Sequence, residues 1–130
     1  MKPLPPKPLD VKTDIKPGSD PNSINCTNER EVIAVAILTV DKFDATTVDH
    51  TTVNFEGGKE THVDQGGKPR RHEEDVDGDG DIDLVFHFRL GDTFLTCEST
   101  KAKLKGRTFE DQEIVGFDLV RMINRGGGKS

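Results

Sequence analysis

The chain has no tryptophan and no tyrosine, and cysteine and methionine occur only twice each among its 130 residues. Exposed indole or phenol rings, the usual platforms for stacking on sugars, are therefore excluded, and seven phenylalanines are the only aromatic side chains left besides histidine. Long apolar runs are also missing: no stretch approaches the roughly 20 residues that a bilayer-spanning helix requires, which argues against membrane insertion. Positive charge is scarce. The formal charge is −6, and the one compact basic run, Lys68-Pro-Arg-Arg71, is too short to form the clustered face that phosphate backbones demand, so nucleic acid is excluded as a partner.

The chain is long enough for one hydrophobic core and too short for two. With Val, Ile, Leu and Phe as its large apolar residues, that core favours strands over helices. Met1 to Leu9 holds four of the seven prolines, where a signal peptide would carry an apolar run. The chain thus reads as a mature or excised product, with residues 1–10 an extended arm or linker, residues 11–124 the folded part, and 125–130 a flexible Gly-rich tail.

Cys26 and Cys97 have no second Cys or His close enough in sequence to form a zinc knuckle. Pairing with each other is the favoured reading. Such a bridge closes a loop of about 70 residues, contributes roughly 4 kcal/mol on the chain-entropy account, and implies an oxidising, extracellular or cell-surface compartment. Two buried free thiols in a cytosolic protein are the alternative.

Hydrophobic patterning places the strands. Val11 to Ile15 alternates weakly and stops at the turn signal Lys16-Pro-Gly-Ser-Asp-Pro21, as a short edge strand would. Glu31 to Val40 is nearly continuous in apolar residues, the pattern of a central strand covered on both faces. Asp44 can cap one helical turn over residues 45–48, and Thr51 to Phe55 is a β-branched strand. Residues 57–72, rich in Gly, Lys and Arg, read as a mobile hairpin or loop with little core. Ile82, Leu84, Phe86 and Phe88 alternate with Asp83, Val85, His87 and Arg89 as in a strand with one buried face. Two more strands are expected near 99–105 and 113–123, with Gly106-Arg107 as the turn. The sum is an all-β fold, an antiparallel β-sandwich of about seven strands.

Seven carboxylates crowd residues 73–83, a density of like charge that disorders a segment unless something neutralises it. Within that run, Asp75-Val-Asp-Gly-Asp-Gly-Asp-Ile-Asp83 places carboxylates at positions 1, 3, 5 and 9, with glycines at 4 and 6 to let the loop wrap. Calcium takes six to eight hard oxygens, and this spacing offers Asp75, Asp77, Asp79 and Asp83 as side-chain ligands with the Asp81 carbonyl at position 7. Position 12 is Phe86, where an EF-hand needs glutamate, and a strand pattern follows where an EF-hand needs a helix. Calcium in a loop that leads directly into a strand is the expectation; a solvated acidic turn is the alternative.

His50, His62, His72 and His87 lack the spacing of a helix-borne metal motif, and His87 reads as a solvated strand residue. No Gly-x-Ser-x-Gly elbow is present. The chain is therefore expected not to be an enzyme.

The acidic loop, in the form Asp-x-Asp-x-Asp-Gly-x-x-Asp-Leu, resembles the calcium loops between strands of integrin-type propeller blades. More of the chain, Ile15-Lys-Pro-Gly-Ser19 with Pro21-Asn-Ser-Ile-Asn25, Val32 to Leu38, Phe43 to Asp49, Thr52-Val53 and Glu74 to Gly80 with Asp83 to Phe86, is similar to a module of secreted bacterial and archaeal multidomain surface proteins; the cysteine pair departs from the common pattern. The resemblance implies an extracellular location and calcium. The functional expectation is a calcium-stabilised structural or adhesive module, whose partners are neighbouring modules or copies of itself, the latter through donation of residues 8–16 to the next copy's sheet edge in a filament. A carbohydrate-binding module, with a glycan as ligand, is the rival.

Overall fold

The computed structural model describes residues 7–19 and 22–124, so the expectations for most of the Pro-rich arm and for the tail fall outside the described residues. The described residues form eleven strands: β1 (Leu9–Asp10), β2 (Thr13–Ile15), β3 (Ser23–Asn25), β4 (Val32–Ile37), β5 (Val48–Phe55), β6 (Gly58–Lys59), β7 (His72–Glu74), β8 (Asp83–Arg89), β9 (Lys101–Thr108), β10 (Glu113–Leu119) and β11 (Arg121–Ile123). Two short 3-10 turns, Ala45–Thr47 and Leu90–Asp92, are the only helical pieces among the described residues. The first is capped by Asp44, whose side chain accepts from the Thr46 amide, as an N-cap should.

The strands form a five-stranded sheet in the order β1-β10-β9-β5-β6, a four-stranded sheet β2-β4-β8-β7 and a pair β11-β3. Most neighbours are antiparallel, as expected; β1 with β10 and β11 with β3 are short parallel exceptions. The count exceeds seven because several of these strands are only two or three residues long. The nearly continuous apolar run becomes β4, an interior strand between β2 and β8.

The two larger sheets meet in one core. Ile33, Val35 and Ile37 of β4 and Leu84, Phe86 and Phe88 of β8 pack in the same buried cluster as Val48, Val53 and Phe55 of β5 and Leu104 and Ile114 of β9 and β10. Phe55 stacks on Phe88 with ring centres 5.1 Å apart. On the outer face of the four-stranded sheet, Ala36, Leu38 and Val85 form a second small patch covered by Val76. That patch is why β4 has no polar alternation, and it seats the acidic loop, to which Val76 belongs. Ile82, expected inside, is half-exposed because the strand begins one residue later at Asp83.

The turn assigned to Gly106-Arg107 is corrected: both residues lie inside β9, and the chain reverses after Thr108. Glycine is needed at 106 for close approach, since a Cβ there would lie 2.8 Å from Val53 Cγ2. The strand expected over 113–123 is divided at Val120: β10 pairs with β9, whereas β11 leaves to pair with β3. Of the two alternatives for residues 57–72 the hairpin is closer, with an antiparallel bridge between Val63 and Pro69, and the segment is tied down further by β6 paired to β5 and by the Thr61 amide donating to the His87 carbonyl. A disulfide joins Cys26, just after β3, to Cys97, just before β9.

Candidate metal centre

The acidic loop connects β7 to β8, two antiparallel neighbours in register from Glu74 opposite Asp83. Its glycines Gly78 and Gly80 adopt φ of +72° and +93°, a backbone region that other residues enter at a cost, and this lets the chain fold back on its own carboxylates. Asp75 is the hub. Its Oδ1 accepts from the amides of Gly78 at 2.9 Å and Asp79 at 3.2 Å, and its Oδ2 from the amide of Gly80 at 2.9 Å.

Asp83 anchors the loop to the body of the protein. It is fully buried, and a buried carboxylate is costly unless hydrogen-bonded. Its Oδ1 accepts from the Thr39 amide at 2.8 Å and its Oδ2 from the Val76 amide at 3.0 Å. Thr39 adds a second tie by donating its hydroxyl to the Ile82 carbonyl at 2.6 Å.

Of the five aspartates singled out in the sequence, three are brought together: Asp75, Asp77 and Asp83 each present a carboxylate oxygen within 4.8 Å of the others. The Asp79 carboxylate is not in that group, and Asp81, expected to ligate through its carbonyl, adds no carboxylate to it. Asp79 Oδ1 instead accepts from the Asp81 amide at 2.9 Å, and both residues are exposed. The gathered donors are all hard carboxylate oxygens on a loop whose backbone is already wrapped, a donor set that fits a hard divalent cation such as calcium. The charges respond to the crowding in opposite ways. Amides from Gly80 and Gly78 hold the Asp75 carboxyl below its usual range, while desolvation, then a hydrogen bond with Asp79, and then the charges of Asp83 and Asp79 hold Asp77 above it. A cation at the three oxygens would relieve that repulsion.

A second group of potential ligands was not legible in the sequence. Glu60 follows β6 and is buried, with only 2% of its side chain exposed. Its Oε1 accepts from the His87 amide at 2.9 Å and its Oε2 from the His62 amide at 3.1 Å. Its Oε2 also lies 3.3 Å from His87 Nδ1 and 4.0 Å from His62 Nδ1. The two imidazoles stack with centres 4.4 Å apart. His72 stands edge-on to His87 at 5.7 Å and bonds Glu74 through Nε2 at 2.9 Å.

Sheet register explains the convergence. His72 pairs with Val85, and His87 is two residues further along the same face of β8, so the two are diagonal cross-strand neighbours. Beyond the end of β7, residues 60–62 take over the same edge of β8 through the Thr61 and His87 hydrogen bonds. Burial pushes the His87 imidazole below its ordinary range, opposed by the adjacent Glu60. His50 is elsewhere, 3.4 Å from the Arg71 guanidinium.

Comparison of the chain with family models, with curated proteins and with solved structures returned no match.

Proposed function

We propose that this protein is an extracellular, non-enzymatic structural or adhesive module whose acidic loop binds one calcium ion. The observation that carries the reading is Asp83. It is at once a member of the carboxylate group and a buried residue fixed by Thr39 and Val76, so an ion held there would be coupled directly to the start of β8 and the core behind it. The Cys26–Cys97 bridge supports an oxidising compartment, and no helix among the described residues is long and apolar enough to cross a membrane.

Assembly with copies of itself is the second element of this reading. Residues 9–15 pair within their own chain, β1 along β10 and β2 along β4. Strand exchange between copies would trade these registers for the same registers in a neighbour, which costs little once two molecules meet. Light scattering over a range of protein concentrations tests it: particles that grow with concentration support exchange, and a monomer throughout sinks it. A glycan array in calcium tests the rival carbohydrate-binding reading.

Thermal unfolding with excess calcium and with chelator tests the ion. One site held at a hundred times its dissociation constant adds about 2.7 kcal/mol, worth several degrees for a chain of this size. Equal melting in both conditions would show that the loop is only a solvated turn.

A further inference from the structure

We propose that Glu60, His62 and His87 form a second metal site, distinct from the acidic loop and selective for a borderline divalent cation of the zinc class. Each offers one ligand atom, and the three atoms lie within 4.8 Å of one another. Two imidazole nitrogens and one carboxylate oxygen suit zinc and its first-row neighbours, whereas calcium takes oxygen alone. The two sites therefore sort cations by donor chemistry.

The arrangement has features of a built site. Glu60 sits at the base with both oxygens held by the backbone amides of the two residues it shares the cluster with, so its position is set before any ion arrives. His87 comes from the rigid strand β8 and is largely buried, with 21% of its side chain exposed, while His62 lies on the connecting loop with 55% exposed. Access to the ion is thus from the His62 side. Zinc bonds of about 2.0–2.1 Å place tetrahedral ligand atoms about 3.4 Å apart, so closing on the ion draws the groups together, and the loop-borne His62 is the one free to move. Bound zinc would join the loop after β6 to the outer face of the four-stranded sheet and leave a coordination position for water.

The experiment is calorimetric titration of the calcium-saturated protein with zinc chloride, on wild type, His62→Ala, His87→Asn and Asp77→Asn. The expected result is one zinc ion per chain in the wild type and in Asp77→Asn. Loss of a second-shell partner alone costs about 10–100-fold in metal affinity, so each histidine variant should lose at least about ten-fold. His62 is exposed, so its variant keeps the test open if His87→Asn fails to fold. Absorbance of the cobalt-substituted protein gives an independent reading, since coordination by these side chains produces a visible band that His62→Ala should lose. Absence of zinc binding in the wild type, unchanged affinity in His62→Ala, or loss of zinc binding in Asp77→Asn with the histidine variants unaffected would each overturn the proposal. None of these outcomes depends on whether calcium stabilises the acidic loop, which the melting experiment reads separately.

Discussion

Asp83 at the start of β8 receives the Thr39 amide just beyond the end of β4, 2.8 Å from its Oδ1, so a residue of the acidic loop is also the clasp between two neighbouring strands. Because Asp83 satisfies the Thr39 and Val76 amides, Asp83→Ala leaves two donors without their partner. At about 1–3 kcal/mol for each unsatisfied group, roughly 2–6 kcal/mol of stability should be lost even in chelator. Asp81→Asn, an exposed position, should change stability in chelator by less than about 0.5 kcal/mol. Denaturant unfolding without calcium checks the contrast, and equal effects of the two substitutions would refute the clasp.

The disulfide spans a sequence separation of 71 residues. On the loop-entropy account its removal in a Cys26→Ala, Cys97→Ala double variant should cost about 4 kcal/mol. Melting of that variant against the oxidised protein, both in calcium, measures the difference, and a loss under about 1 kcal/mol would mean that the folded core alone closes this loop.

Gly116 of β10 faces Thr13 of β2, and a Cβ at that position would collide with the Thr13 hydroxyl and approach the Val11 carbonyl to 3.0 Å. Gly116→Ala should therefore force β2 outward at a cost of about 1–3 kcal/mol, the range for overpacking. Adding Thr13→Ala should recover part of it. Additive losses in the double variant would rule out this contact as the cause.

Asp14 titrates above the usual carboxylate range because of partial burial, then the neighbouring Asp118 carboxylate, with Lys12 opposing. Since the folded state favours its neutral form, the associated stability is fully present below the ordinary carboxylate pKa and is lost as pH rises through the raised value. Asp14→Asn should therefore raise stability at pH 7, by no more than about 1 kcal/mol for a group only partly buried. It should have no effect near pH 3. A gain that persists at low pH would point to a cause other than charge.

The long strands were legible because burial acts on residues that are adjacent in sequence. The apolar run from Val32 reports a strand covered on both faces, and the alternation from Leu84 reports one face packed against a sheet. The aspartate loop was legible for a similar reason, since Asp75, Asp77 and Asp83 fall on one tight loop and need no distant element to gather them. Gly106 misled because glycine serves equally a turn and a close approach, and only Val53 across the sheet decides between them. The strands β1 and β3, at two and three residues, are too short to carry a period. The histidine cluster was illegible for the strongest reason: Glu60, His62 and His87 share no local spacing, and it is the edge of β8 that brings them together.

The disulfide has a mechanical meaning as well. β1 runs parallel to β10, and β11 runs parallel to β3, so tension applied across residues 9 and 123 slides these pairs along their length and strains their hydrogen bonds together, where an antiparallel end would unzip one bond at a time. Once they slip, force passes through the Cys26–Cys97 bond and skips the chain between them, a sequence separation of 71, withholding about 240 Å of extension at some 3.3–3.6 Å per residue. Both groups of potential ligands lie within that shielded loop, so a stretched molecule would keep that half closed while its ends give way.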